Sequence, residues 1–181
     1  MMKKIQFTSH MFYLFFRSLC IFLPLVTTYL ILFHLQGMLS LGFWNSIVSS
    51  SHIENTSDFS LVHRLVILGI HYLPLTVTVM ICYKLAKLFR LYEQGDLFED
   101  ENIKLIKHIG ILMLIGQLVQ LIYQPMITAA LSFNNPVGHR FASITLGSTN
   151  VSTVITALII LIASWIIKEA NQLKTEVKFT I

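Results

Sequence analysis

The chain has 181 residues, 55% of them hydrophobic and only 12% charged, with a formal charge of +4. A soluble domain usually carries about 25% charged residues, and the apolar residues here collect in four long runs instead of spreading with the period of a soluble core. The basic residues stand beside the ends of those runs and form no nucleic-acid module, and Cys20 and Cys82 make neither a disulfide framework nor a CxxC motif.

The first run covers about residues 11–35 and is interrupted only by Arg17. Lys3 and Lys4 precede it, but the apolar stretch exceeds a signal-peptide core and no small-x-small cleavage site follows, so a retained helix is expected. The second run is about 65–83, the third about 109–131 and the fourth about 151–167. About 20 apolar residues match the ~30 Å thickness of a bilayer's hydrocarbon. Inside lipid every backbone polar group must be paired internally, so such runs must be helices, and none alternates with the period of two of a barrel strand. The fold class expected is an all-α integral membrane protein, a bundle of four transmembrane helices forming one membrane domain over residues 1–181.

Basic residues give the orientation. Lys3 and Lys4 precede the first span, Lys84, Lys87, Arg90, Lys104 and Lys107 lie between spans two and three, and Lys168, Lys174 and Lys178 follow span four. The other two connections hold only Arg64 and Arg140, a bias of ten to two. The positive-inside rule then puts both termini and the middle connection on the cytoplasmic side of the cell (inner) membrane.

The first outer connection, residues 36–64, is rich in Ser, His and Asn and shows no period; the second, 132–150, has turn residues around Asn134-Asn135-Pro136. Neither can bury a core of its own. The sequons at Asn55 and Asn150 matter only in a glycosylating pathway.

The middle segment is the most patterned. Leu85, Leu88, Phe89 and Tyr92 fall at helical spacing, so span two is expected to continue out of the membrane. Gly95 suits a helix C-terminus because it takes positive φ without steric cost. The acidic cluster Glu99-Asp100-Glu101 suits the next helix start, where exposed amides favour negative charge. The expectation is a cytoplasmic helical hairpin between helices 2 and 3. It would rest at the headgroups or offer a partner-docking surface of Arg90, Tyr92, Glu99, Asp100 and Glu101.

The stretch LFRLYEQGDLFEDENIKLIKHIG resembles the hallmark of a bacterial membrane protein family catalogued as domain of unknown function 2975. The shared elements are LFxLYxxGxxF (88–98), an Asn102-to-Gly110 element, and a fourth span ending in Ala163-Ser164-Trp165-Ile166 through Leu173. The resemblance implies a small four-helix membrane protein, often associated with helix-turn-helix regulators, and carries over no activity or site residue.

Polar residues within the spans fall on stripes. Span one has Arg17, Cys20, Pro24, Thr27 and His34; span two has His71, Pro74, Thr78 and Cys82; span three has Gly110, Gln117, Gln120, Gln124 and Thr128; span four has Ser152, Thr156 and Ala163. Burying such groups is costly, so the stripes are expected inside the bundle. Gln117, Gln120, Gln124, His71 and Thr78 form the candidate interior polar site, for interhelical hydrogen bonds or for a ligand. No acidic residue lies within a span to relay a cation or proton. Arg17, near a span end, is expected to snorkel. Five of the seven histidines (His34, His52, His63, His71, His139) lie toward the outer side; His63 and His71, over two turns apart, are too far to share a metal on a straight helix.

No nucleophile-base set, phosphate loop or metal signature is present, so an enzyme is not expected, nor a cofactor. The reading is a small membrane-embedded regulatory or sensory protein signalling through its middle connection. Its alternative is a small transporter or immunity-type protein using the polar interior. Partners to expect are the lipid bilayer, a small cytoplasmic DNA-binding regulator and further copies of the chain, without direct nucleic-acid binding.

Overall fold

The computed structural model describes residues 2–47, 53, 59–96 and 99–179, with side chains described for 4–47, 53, 59–96 and 99–172. His52, the Asn55 sequon and Phe98 lie outside the described residues, as do the side chains of Lys3, Lys174 and Lys178. All regular structure among the described residues is helical: α1 (Met2–Phe33), α2 (Leu35–Ser40), α3 (Leu61–Gln94), α4 (Asp100–Leu131) and α5 (Ser148–Phe179). Four helices are long and apolar enough to cross a membrane, over Lys4–Phe33, Leu61–Gln94, Asp100–Leu131 and Ser148–Gln172. At about 1.5 Å per residue the 34 residues of α3 give a rod far longer than a ~30 Å hydrocarbon layer. α1 begins at Met2, well before the apolar run, because no Gly or Pro stands ahead of Pro24 to end it.

Large apolar side chains point outward on these helices: Phe7, Phe22, Leu118, Ile122, Ile159 and Ile166 are 60–69% exposed. A soluble surface would not carry so continuous an apolar coat; lipid requires one. α1, α3 and α4 each contain a proline, Pro24, Pro74 and Pro125. Proline removes one helical hydrogen bond, and hydroxyls attend two of these sites. Thr28 donates to the Pro24 carbonyl at 2.6 Å, and Thr128 to that of Pro125 at 3.2 Å.

The chain divides into two compact units. The first comprises Met1–Ile21, Val77–Ile115 and Ser148–Ile181. Its apolar centre is Leu88, Leu105 and Ile109, and α4 meets α5 closely at Gly110. A Cβ there would lie 2.9 Å from Leu161 Cγ and 3.3 Å from the Ala157 carbonyl, so the missing side chain is what admits α5. The face that α5 buries is Ala157 and Ser164, not the Ser152–Thr156 face expected from spacing, which is exposed. Thr156 Oγ1 donates to its own Ser152 carbonyl at 2.8 Å, so its hydroxyl is already paired and needs no other helix.

The second unit comprises Phe22–Thr76 and Gly116–Gly147. Ile31 of α1, Ile67 of α3, and Tyr123, Ile127 and Leu131 of α4 form its core with Met38, Leu39, Trp44, Ile53 and Phe59. The first connection, unpatterned by sequence period, therefore supplies core residues. Met38, Leu39 and Trp44 come from α2 and the turn after it, each too brief to show a helical period.

Candidate functional site

The polar centre of the second unit is built from α2 upward. Gly42 (φ 72) ends α2. Phe43 N–H reaches the Met38 carbonyl and Gly42 N–H that of Leu39, both at 3.0 Å; this paired cap reverses the chain. Trp44 is thereby buried to 3% exposure against Tyr123, also 3% exposed. The Trp44 indole N–H donates to the Tyr123 oxygen at 2.9 Å, and Tyr123 stands 2.9 Å from His71 Nδ1. An indole nitrogen can only donate, so the Tyr123 oxygen accepts from Trp44 and shares a second hydrogen bond with His71 Nδ1. The Trp44 and His71 rings meet edge to face, 85° apart in plane.

Beside this relay, one face of α4 holds a length of extended chain. Ser132 Oγ donates to the Phe141 carbonyl at 2.9 Å and accepts from Phe141 N–H at 3.1 Å. Thr128 Oγ1 accepts from Ser143 N–H at 3.0 Å, and Gln124 Oε1 from Thr145 N–H at 2.6 Å. Helix residues four apart thus meet chain residues two apart, running in opposite directions. The repeats agree: four helical residues rise about 6 Å and two extended residues about 6.6 Å. Thr145 Oγ1 also donates to the Ile47 carbonyl at 3.3 Å, fastening the turn after α2 to the same segment.

Of the interior polar site, Gln124 and His71 both lie in this unit but in different devices: Gln124 is 4% exposed and pairs with Thr145, while His71 pairs with Tyr123. Gln117 and Gln120 are half-buried on α4; Thr78 is exposed and belongs to the first unit. Of the outer histidines, His63 Nε2 lies 2.6 Å from the Ala130 carbonyl. Arg64 donates to the carbonyls of Leu32 at 2.6 Å and Phe59 at 3.2 Å, a favourable place for a cation because α1 ends there. Trp44 and Tyr123 are the residues that sequence reasoning missed. A lone Trp in a polar connection was the available signal for one, and a place three residues after Gln120 for the other. Among the described residues no three His, Cys, Asp or Glu side chains gather to hold a metal.

The charged end lies in the first unit. Gly95 (φ 97) closes α3, with Asp96 N–H on the Leu91 carbonyl at 3.1 Å and Gly95 N–H on that of Tyr92 at 3.2 Å. Asn102, 2% exposed, reaches back from α4 to the Asp96 carbonyl and pins the connection; this accounts physically for Gly95 and Asn102 in the shared pattern. The Glu99 backbone carbonyl accepts the amides of Asn102 and Ile103 at 3.0 and 3.4 Å. Of the proposed docking residues, Glu99, Asp100, Glu101 and Arg90 are exposed and Tyr92 is half-buried, its ring edge-on to Phe89. Glu101 is paired with Lys87 at 2.6 Å, so Glu99 and Asp100 carry the outward acidic charge. His10 reaches Glu93 at 2.9 Å.

These features define an all-helical protein with four helices capable of crossing a membrane and a polar centre in one of its two units. The chain belongs to the family described as "Protein of unknown function (DUF2975)", whose model matches residues 8–181. No curated protein and no solved structure matches it.

Proposed function

We propose that the chain is a small regulatory or sensory protein of the bacterial inner membrane, with both termini and the α3–α4 connection in the cytoplasm, signalling to a soluble DNA-binding regulator. The observation that carries this reading is that α1, α3 and α4 each contribute to both units. His71 of the buried relay and the exposed Arg90 are therefore both borne on α3, and Tyr123 and the exposed Asp100 and Glu101 on α4. An event at the relay would reach those charges through helices, which transmit displacement because their backbones are internally hydrogen-bonded. The orientation is supported by the ten-to-two distribution of basic residues.

Exposed acidic side chains beside a helix start would steer a basic partner. In pull-downs at matched expression, Glu99→Gln with Asp100→Gln is expected to lose most of a partner that wild type captures. Glu101 is kept because its pair with Lys87 is structural. Equal recovery from both proteins would sink the docking idea. For orientation, Val137→Cys is well placed, since Val137 is 92% exposed. In a background without Cys20 and Cys82 it should react with an impermeant maleimide in intact cells, and Gln94→Cys should not. Labelling at Gln94 reverses the orientation.

A further inference from the structure

In the first unit, α1 and α3 border a groove of about 530 Å³ that Glu101 of α4 also lines. Tyr13, Arg17 and Ile21 stand four residues apart along α1, and Tyr83, Lys87 and Leu91 do the same along α3, with Arg90 beside them. Helical residues four apart share a face, so the α1 wall runs from Tyr13 and Arg17 to the apolar Ile21, at the end where Cys20 meets the Val79 carbonyl of α3. Leu91 lies instead at the Tyr13 end, near the His10–Glu93 pair.

The charges do not cancel. Lys87 is held by Glu101 at 2.6 Å, which leaves two guanidinium groups. Arg17 donates to the Tyr13 hydroxyl at 2.5 Å. The Arg17 and Arg90 guanidinium carbons lie 5.8 and 5.9 Å from the centroid of the one Tyr13 ring. Among the described residues neither guanidinium has a carboxylate in ion-pair reach. Two cations gathered on one aromatic ring, within a groove with apolar walls, call for an anion that brings an apolar portion with it.

We infer that this groove binds the phosphate headgroup of an anionic phospholipid, with Arg17 and Arg90 on the phosphate and an acyl chain along Cys20 and Ile21. Guanidinium groups suit phosphate oxygens because their planar donors can engage two at once. Inorganic phosphate would leave the apolar walls unused. A zwitterionic lipid would bring its own cation to a site already holding two.

The test uses the full chain in detergent, with thermal unfolding followed as phosphatidylglycerol, phosphatidylcholine or inorganic phosphate is added. Native mass spectrometry from mixed micelles counts the lipids retained. Phosphatidylglycerol is expected to raise the unfolding temperature and to be retained over phosphatidylcholine. A basic side chain near an anionic lipid contributes about fivefold in affinity, so Arg17→Gln with Arg90→Gln should lower that preference about 25-fold. Lys107→Gln with Lys168→Gln, which removes two exposed charges outside the groove, should keep it. Should the glutamine pair not fold, Arg17→Lys with Arg90→Lys keeps both charges but not the paired donors, and a several-fold loss of preference is expected. Equal retention of both lipids, an unchanged preference in the arginine variants, or equal stabilisation by inorganic phosphate would each overturn the assignment.

Discussion

Trp44→Ala is expected to destabilise the protein in detergent by about 3–5 kcal/mol, the range for truncating a buried Trp. Trp44 touches two kinds of support at once. Its ring fills the second unit's core beside Ile127 and Leu131, and its N–H satisfies the buried Tyr123 oxygen. Trp44→Phe keeps a six-membered ring and loses the donor, about 1 kcal/mol for one hydrogen bond, together with a smaller cavity term for the lost ring atoms. Tyr123→Phe breaks the relay without removing ring atoms and should cost no more than Trp44→Ala. The measurement is reversible unfolding of the three variants under one detergent condition. A Trp44→Ala variant no weaker than Trp44→Phe would show that the turn after α2 does not support the core.

A second large effect is expected from removing the α4 face that holds residues 141–145. Combining Gln124→Leu, Thr128→Val and Ser132→Ala strips the acceptors from the amides of Thr145, Ser143 and Phe141. An amide left without a partner costs about 1–3 kcal/mol when buried. Ile144, Thr145 and Leu146 are exposed, so the segment can turn to solvent instead of unfolding the helices. Trypsin should therefore cut after Arg140, itself exposed, at least about tenfold faster, which corresponds to about 1.4 kcal/mol of lost local stability. Gln117→Leu with Gln120→Leu should leave the cutting rate at the wild-type value. Equal rates in the ladder variant and wild type would mean that the contacts do not restrain the segment.

The long helices were legible because lipid imposes one rule on every spanning segment, and apolar run length reports it directly. The close of α3 at Gly95 and the start of α4 at the acidic cluster were legible for a local reason: a helix end needs positive φ, and a helix start favours negative charge. Interior and exterior were less so. Spacing placed Gln124 and His71 among paired polar groups, yet it could not say that Gln124 pairs with a loop amide and His71 with a tyrosine. Ser152, Thr156 and Thr78 share the same kind of spacing and are exposed. A hydroxyl can return to its own helix, as Thr156 does, so hydroxyl periodicity does not mark a buried face. Trp44 escaped because a six-residue helix and a turn carry no period. Their burial depends on α3 and α4, far away in sequence.

The pairing of α4 with the extended chain behaves like two rulers of unequal division laid side by side. Each step of four helical residues falls short of two extended residues by about 0.6 Å, and it also swings about 40° around the helix axis. Slip and swing accumulate, so the coincidence of marks cannot run on indefinitely. Counting from Ser132, a fourth mark at Gln120 would stand about 120° around the helix from the first. The chain opposite is by then turning into α5 at Ser148. A mismatch of pitch thus limits how far a helix and an extended chain can stay paired in this way.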